Sequence, residues 1–347
     1  MEKDNVIKAF AQLGKLMSHI ATKQKWENFD CGITENEYEN LQRIINKQFV
    51  LNGWFTKENV FQSLNALGSQ LTESNLNEWT NDYSFSISPK NIAIIMAGNI
   101  PLVGFHDFMS VLISGHNAIC KLSSDDKSLL PALAQHLIQF SPELKQRIIF
   151  TNGKMNKMDA IIATGSDNSI RHFKDYFGHL PNIFRKNRTS IAVLTGTETR
   201  DELALLGKDI FEYFGLGCRN VSHLIVPENY NFNLFFESIV DFHPIINHHK
   251  YANNYDYNKA VYLLNKSNLL DNNFVLLKKS NELFSPLAMI NYHYYKNEEE
   301  LNQYLEYHNE QIQIIVGKNY TAFGNAQRPL LTDYADGINT LNWLQKL

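Results

Sequence analysis

The feature that most constrains the fold is a nearly continuous apolar run at 91–96, NIAIIM, which stands between Pro89 and Gly98. A strand that is apolar on both faces belongs in the interior of a parallel sheet, where helices cover both sides. After this run the chain repeats the order of loop, helix and strand, which predicts βαβ units and an open, mostly parallel sheet. Further strands are predicted at 117–122, 147–151, 160–163, 183–185 and 190–194.

Helical patterns precede this region, and a second αβ unit follows it. Apolar spacing predicts helices at 5–20, 34–49, 56–67 and 72–79. From about residue 195 a helix over 203–214 leads to a short buried strand at 223–227, and helical and strand patterns then alternate. We therefore predict a helical N-terminal region with a first domain over 1–194, a second domain over 195–325, and a segment at 326–347 that returns to the first.

Composition excludes several classes of protein. With a net charge of -4 and a pI of about 6.3, the chain offers no electrostatic case for nucleic acid. It has no apolar run long enough to span a bilayer, and its start lacks a signal-peptide core and cleavage site. Its cysteines, Cys31, Cys120 and Cys218, lie far apart, and its histidines lack HExxH-type spacing, so we expect neither a disulfide framework nor a metal. A reducing cytoplasm fits best.

Cys218 is the candidate nucleophile. It lies at a helix-to-strand corner, where Gly215 and Gly217 can adopt backbone angles that are closed to other residues. Arg219 adds a positive charge that favours the thiolate. A small cysteine packed at a tight turn is the alternative for this stretch taken alone.

Three loops follow strands of the first sheet, and parallel pairing would place them at the same end. Asn99 offers an amide, Lys121 an ammonium group, and Gly165-Ser166 a turn that opens a helix, where partial positive charge favours phosphate. Neither GxGxxG nor GxxxxGK[ST] is present. Each loop alone has an ordinary alternative, because Ser166 can be a plain helix cap and Asn99 a turn residue.

Taken in order, five motifs resemble the aldehyde dehydrogenase superfamily. Longer stretches at 97–116, 161–177, 185–199 and 214–227 resemble the LuxC-type acyl-CoA reductases, which reduce fatty acyl thioesters to aldehydes. The resemblance implies an aldehyde dehydrogenase-like α/β fold, with an open, mostly parallel, Rossmann-like cofactor sheet and a second α/β catalytic domain. The motifs are Asn99-Ile-Pro101, Lys121-Leu-Ser123, Thr164-Gly165-Ser166, Cys218 and Glu282-Leu-Phe284-Ser-Pro286.

The resemblance also implies a role for each motif. Cys218 would form an acyl-enzyme, and the Asn99 amide with the Cys218 N–H would hold the oxyanion. The implied cofactor is NADPH, with NADH also allowed, because Ser124 stands where NAD-preferring members often carry a glutamate that repels a 2′-phosphate. Cofactor contacts are implied for Lys121, Ser123, Ser124, Gly165, Ser166, Glu282 and Phe284.

Departures from the superfamily pattern bear on the chemistry. Hydrolytic members carry a glutamate that activates water, but the matching stretch at 184–190 has no carboxylate. The sequence does not decide whether the basic residues of this stretch form a solvated loop or contact a phosphate of CoA or NADP; they are Arg185, Lys186 and Arg188. The acids ahead of Cys218 are expected at the start or on the solvated face of the helix; they are Asp201, Glu202, Asp209 and Glu212.

The function predicted from the sequence is therefore reduction of an acyl thioester, with a long chain expected. A short-chain CoA-acylating aldehyde dehydrogenase, an acyl-phosphate reductase and a non-catalytic acyl-binding partner subunit are the alternatives. The expected partners are an acyl-CoA or acyl-carrier substrate, an acyl-protein ligase and further copies of the chain in a homo-oligomer.

Overall fold

The computed structural model describes residues 2–22, 26, 32–153, 155 and 157–347 of the chain. Cys31, which we do not expect to be the nucleophile, lies outside the described residues. The chain divides into two compact units. The first contains Met1–Lys186 and Leu330–Leu347, and the second contains Asn187–Pro329.

The N-terminal part of the first unit is helical, as the apolar spacing predicts. Thr34, Thr56 and Thr72 each accept a hydrogen bond from a backbone N–H of the turn that follows, and Thr34 forms a full capping box with Glu37. Gly14 allows close packing, because a Cβ there would lie 2.5 Å from the Leu71 Cβ. The helices are α1 (Lys3–Ala21), α2 (Glu35–Asn46), α3 (Gln48–Leu51), α4 (Lys57–Gln70) and α5 (Glu73–Thr80).

A five-stranded parallel sheet forms the centre of the first unit, in the order β3-β2-β1-β4-β5. This confirms the open parallel sheet. The chain proceeds from β1 through β2 to β3 on one side and through β4 to β5 on the other, so the order reverses between β1 and β4. The elements are β1 (Asn91–Ile95), α6 (Phe105–Ile113), β2 (Asn117–Lys121), α7 (Leu129–Phe140), β3 (Ile148–Phe150), β4 (Ala160–Thr164), α8 (Asp167–Phe177) and β5 (Asn182–Arg185).

The C-terminal segment of the chain belongs to the first unit. It carries the short helix α13 (Thr340–Leu344), and the Leu344 carbonyl lies 3.2 Å from Nε2 of the buried His116. Tyr334 accepts a hydrogen bond of 2.8 Å from the indole N–H of Trp79. The end of the chain is thus joined by hydrogen bonds to α5 and to the turn before β2.

Arg185 has neither of the two roles that the sequence left open for it, a solvated loop residue or a phosphate contact. It is buried at the end of β5, and its guanidinium pairs with both carboxylate oxygens of Asp107, at 2.7 and 3.2 Å. It also donates to the Ala335 carbonyl at 2.6 Å and to the Thr340 hydroxyl at 2.9 Å. Arg185 is therefore neither part of a solvated loop nor available to a phosphate, because it joins β5, α6 and the C-terminal segment.

The second unit is built on a six-stranded sheet, in the order β11-β6-β7-β10-β9-β8, parallel except for the edge strand β8. Strand β6 pairs with β7 and β11, whereas the sequence pattern placed it in the first sheet. The elements are β6 (Thr189–Val193), α9 (Arg200–Phe211), β7 (Val221–Pro227), α10 (Phe232–Ser238), α11 (His249–Leu264), β8 (Leu269–Asp271), β9 (Leu276–Lys279), β10 (Met289–Tyr295), α12 (Glu298–Tyr307) and β11 (Ile312–Val316).

Short 3-10 turns complete both units, at Pro142–Gln146, Glu212–Gly215, Val240–Asn247 and Ala335–Gly337. Within the described part of the chain, no helix combines the length and the apolar character needed to cross a membrane.

The buried Arg185–Asp107 pair yields a stability prediction. Arg185→Met leaves Asp107 buried without its cation, which typically costs about 3–5 kcal/mol. We expect the free energy of unfolding of the first unit, measured by denaturant titration, to fall by about that amount. The exposed neighbour Lys186 supplies the control, and Lys186→Met should change stability by less than about 0.5 kcal/mol. Equal effects of the two substitutions would show that the pair contributes nothing.

Candidate active site

Cys218 lies in the turn between α9 and β7, which confirms the predicted helix-to-strand corner. Its side chain is exposed, whereas Cys120 is buried in β2, where burial raises the pKa of its thiol. Ahead of Cys218 the chain takes three left-handed residues in succession: Tyr213 at φ 53°, Phe214 at 59° and Gly215 at 79°. Such angles cost a non-glycine residue about 1–3 kcal/mol, so surrounding contacts must stabilise this turn.

Three side chains hold the turn that carries Cys218. The Ser190 hydroxyl donates to the Cys218 carbonyl at 2.9 Å, and Ser190 is fully buried in β6. Arg219 Nε donates to the Ala326 carbonyl at 2.6 Å, so its guanidinium contacts the chain around Ala326. Asn220, 2% exposed, accepts a hydrogen bond from the Gly217 N–H at 2.8 Å. The predicted effect of Arg219 on the thiolate stays a prediction.

Asp209 corrects an expectation from the sequence. It is 1% exposed rather than on the solvated face of α9. Its two carboxylate oxygens accept hydrogen bonds from the backbone N–H groups of Gly324 and Ala326, at 2.7 and 2.9 Å. Asp209 therefore anchors the segment whose Ala326 carbonyl accepts from Arg219, and burial raises the pKa of its carboxyl to about 6.

The segment that carries Glu282 and Phe284 is held by two buried polar residues. The Asn291 amide donates to the carbonyls of Glu282 and Phe284, both at 2.9 Å, while the Glu282 and Phe284 side chains are exposed. His223 Nδ1 lies 3.1 Å from the Glu282 carbonyl. Since a carbonyl only accepts, Nδ1 carries the proton, and Nε2 accepts from the Tyr304 hydroxyl at 3.2 Å. Burial lowers the pKa of His223 to about 4, so the ring is neutral at pH 7.

Strand pairing brings this segment beside the Cys218 turn. Strands β7 and β10 run parallel, with Asn291 opposite His223, so their amino ends are neighbours in the sheet. The Cys218 turn leads into β7, and the segment with Glu282 and Phe284 leads into β10. The Ser285 hydroxyl lies within hydrogen-bond distance of the Ser222 carbonyl, at 2.9 Å, and of the Met289 carbonyl, at 2.7 Å, and so connects the two segments. The second unit thus gathers the candidate nucleophile and the Glu-x-Phe motif at one edge of its sheet.

In the first unit, the loops after β1 and β2 pack against each other. A Cβ on Gly98 would lie 2.6 Å from Ser123 Cβ, so only glycine allows this approach. The Leu102 N–H donates to the buried Asp126 carboxylate at 2.8 Å and fixes the loop that carries Asn99. The side chains of Asn99 and Lys121 are exposed at this carboxyl edge.

The loop after β4 opens helix α8. The Ser166 hydroxyl accepts from the Ser169 N–H at 3.3 Å, so Ser166 caps helix α8. The sequence had left this role open as an alternative to a phosphate contact. A Cβ on Gly165 would lie 2.9 Å from Ser169 Cβ, which explains the glycine. Because β4 is next to β1, this helix N-terminus lies at the point where the strand order reverses, and open parallel sheets bind ligands there.

Sequence motifs did not reveal four polar residues that hold the second unit's site: Ser190, Asn220, His223 and Asn291. His223 and Asn291 are polar positions inside apolar strand patterns, and this signal could have indicated buried hydrogen bonds. Among the residues that the structure describes, no cluster of three or more His, Cys, Asp or Glu side chains could hold a metal ion.

Comparison with known proteins identifies a family and a fold. Residues 3–213 match the model of a family described as Acyl-CoA reductase (LuxC). No curated protein matches the chain in sequence.

Similar solved structures are aldehyde dehydrogenases. An NAD-dependent aldehyde dehydrogenase from Sinorhizobium meliloti aligns with a TM-score of 0.65 and 10% identity, over 95% of this chain and 73% of that one. The putative aldehyde dehydrogenase PutA from Anabaena variabilis gives 0.60 and 13%, over 97% and 85%. A variant of aldehyde dehydrogenase C from Pseudomonas syringae, solved with NAD+ and octanal, gives 0.60 and 10%, over 88% and 70%. The chain therefore has the aldehyde dehydrogenase-like fold.

The raised pKa of Asp209 yields a pH-dependent prediction. Its carboxyl titrates near 3.9 in an unfolded chain and at about 6 in the fold, so the folded state binds the proton more tightly. Its contribution to stability is complete below about pH 4 and is lost as the pH rises through 6, a change of about 3 kcal/mol. We expect Asp209→Asn to remove this slope.

The measurement is the free energy of unfolding of both proteins between pH 4 and 7. The neutral amide replaces one accepting oxygen by a donor and loses a hydrogen bond at every pH. The result is therefore read from how the free energy of unfolding changes with pH in each protein, and not from its absolute value. Parallel curves for the two proteins would contradict the prediction.

Proposed function

Because the chain belongs to the acyl-CoA reductase (LuxC) family, we propose that it reduces an acyl-CoA, or an equivalent acyl thioester, to an aldehyde through an acyl-enzyme on Cys218. The observation that carries this proposal is the exposed Cys218 on a turn held by buried polar groups, beside the segment with Glu282 and Phe284. A long acyl chain, an acyl-protein ligase partner and a homo-oligomer belong to the same proposal and rest on the family resemblance.

The chemistry proposed for Cys218 does not require a general base that activates a water molecule. Its thiolate attacks the thioester carbonyl, the C–S bond to the carrier breaks, and the carrier leaves as a thiol after taking a proton. The Cys218 N–H and the Asn99 amide are proposed to donate to the oxyanion, and one such donor is worth about 3 kcal/mol. A nicotinamide cofactor, when bound, would supply the hydride that reduces the acyl group. Collapse of the resulting thiohemiacetal returns the Cys218 thiolate and releases the aldehyde.

The first unit's residues fit a nucleotide. The α8 N-terminus offers backbone N–H groups and partial positive charge to a pyrophosphate, with Gly165 and Ser166 at that point. The exposed ammonium of Lys121 is proposed to bind the adenosine ribose or its phosphate, with Ser123 and Ser124 beside it in sequence. In the second unit, the exposed Glu282 is proposed to hold the nicotinamide ribose, with Phe284 beside it.

The acyl-enzyme is tested by single turnover. The enzyme is incubated with radioactive acyl-CoA without reduced cofactor, free CoA is removed, and the bound label is followed before NADPH is added. We expect label on Cys218, a lifetime much longer than one turnover, and aldehyde release when NADPH arrives. Cys218→Ala should lower both labelling and aldehyde formation by at least about 10⁴-fold.

Cys120→Ala is the matched control and should keep both activities, since Cys120 is buried in β2. Label retained in Cys218→Ala would refute the assignment. Rapid free fatty acid without cofactor would instead indicate a thioesterase or a hydrolytic dehydrogenase with a base for water. Absence of all labelling would favour the non-catalytic partner subunit, and a chain-length series separates long-chain from short-chain acyl specificity.

NADPH is proposed as the preferred cofactor, because the uncharged Ser124 does not repel a 2′-phosphate. Ser124→Glu should place a carboxylate beside that phosphate and raise the Kd for NADPH about tenfold, or about 1.4 kcal/mol, with the Kd for NADH within about threefold. Ser124→Gln, of equal size and no charge, is the control. Tighter binding of NADH than NADPH by the unmodified protein would disprove the preference.

A further inference from the structure

Asn220 stands two residues after Cys218, and its side chain lies within hydrogen-bond distance of four backbone groups. Its Oδ1 accepts from the Gly217 N–H at 2.8 Å. Its Nδ2, which carries two hydrogens, lies within hydrogen-bond distance of three carbonyls, two in the last turn of α9 and one on the residue after the helix, at 3.1, 3.3 and 2.8 Å. These carbonyls belong to Asp209, Ile210 and Glu212.

Only an amide side chain can meet these demands together. The last carbonyls of a helix lack partners within the helix, so they need donors, whereas the Gly217 N–H needs an acceptor. Asn offers an accepting oxygen and two donated hydrogens within one short side chain, while Asp offers no donor when ionised and Ser only one hydroxyl. At 2% exposed, Asn220 leaves water little access to these groups.

Asn220 also contacts both peptide units of Gly217, the second of which precedes Cys218. Its backbone N–H donates to the Gly217 carbonyl, in the Gly217–Cys218 peptide, at 3.0 Å, whereas its side chain accepts from the Gly217 N–H, in the Leu216–Gly217 peptide. The Gly217 carbonyl and the Cys218 N–H share one planar peptide unit, so fixing the carbonyl fixes the direction of that N–H. Ser190 fixes the next peptide unit through the Cys218 carbonyl.

We propose that Asn220 is a positioning residue for the nucleophile: its side chain fixes Gly217 against the end of α9, so that the Gly217–Cys218 peptide presents the Cys218 N–H and sulfur in the direction that acyl transfer requires. This inference rests on the proposed function for its catalytic part. The strained residues Tyr213 and Phe214 lie between the helix carbonyls that Asn220 binds and the glycine that it holds, so Asn220 closes the strained turn on itself.

The test compares Asn220→Ala with Asn258→Ala. Asn258 is a buried asparagine of the same unit, 6% exposed, whose amide donates to the Leu287 carbonyl and not to the Cys218 turn. Hydrogen exchange by mass spectrometry reports on the turn without any need for activity. We expect amides of 212–221 to exchange at least tenfold faster in Asn220→Ala and to stay unchanged in Asn258→Ala.

Kinetics then separate positioning from simple stability. Misplacement of reacting groups by about 1 Å can cost about 100-fold in rate, so we expect kcat of Asn220→Ala to fall about 100-fold with KM for acyl-CoA within about threefold. Asn258→Ala should lower the thermal midpoint but keep kcat within about threefold. Faster exchange in the turn with an unchanged kcat would overturn the proposal, as would unchanged exchange.

Two further results keep the outcomes distinct. If Asn220→Ala does not fold, Ser190→Ala, which removes one hydroxyl contact to the Cys218 carbonyl, should lower kcat about tenfold, and an unchanged kcat would overturn the idea that the two peptides are held for catalysis. If the unmodified protein forms neither acyl-enzyme nor aldehyde, the proposed function fails. The exchange comparison then still decides whether Asn220 fixes the turn.

Discussion

Two neighbouring parallel strands run in the same direction, so a connection between them must lead from the carboxyl end of one strand back to the amino end of the other. This constraint decides where the candidate site residues lie in each unit. In the first sheet it places the loops that carry Asn99, Lys121 and Gly165 at one carboxyl edge, beside the point where the strand order reverses. In the second sheet it places the turn with Cys218 next to the segment with Glu282, because β7 and β10 are parallel neighbours.

The shape of the segments at these edges depends on buried polar groups. Buried polar atoms are costly unless they are hydrogen-bonded, so each such residue requires a particular backbone arrangement around it. Ser190 holds the Cys218 carbonyl and Asn220 holds the Gly217 N–H, while Asn291 and His223 contact the carbonyls of Glu282 and Phe284. The reactive side chains remain exposed while their backbone is fixed, an arrangement that suits a nucleophile whose direction matters.

Charged residues show how little a sequence alone reveals about exposure. Arg185 belongs to a basic stretch, yet the fold pairs it with Asp107 and with the C-terminal segment. Asp209 follows the helical spacing of a solvated face, yet it accepts two backbone N–H groups from the segment at Gly324. In both cases the partner is distant in the sequence. The ion pair of Arg185 and the hydrogen bonds of Asp209 therefore form only when the fold brings the partners together.

The sequence by itself determined the order and positions of most helices and strands, the parallel sheet, the family and the corner at which Cys218 lies. The elements could be located because apolar periodicity and cap residues act between positions a few residues apart, whereas the family followed from the resemblance of its motifs. The tertiary structure alone decided that β6 joins the second sheet, that Arg185 and Asp209 are buried, and that Tyr213 is left-handed. These features depend on partners distant in sequence, and the hydrogen bonds that Asn220 makes exist only after helix α9 and strand β7 have packed together.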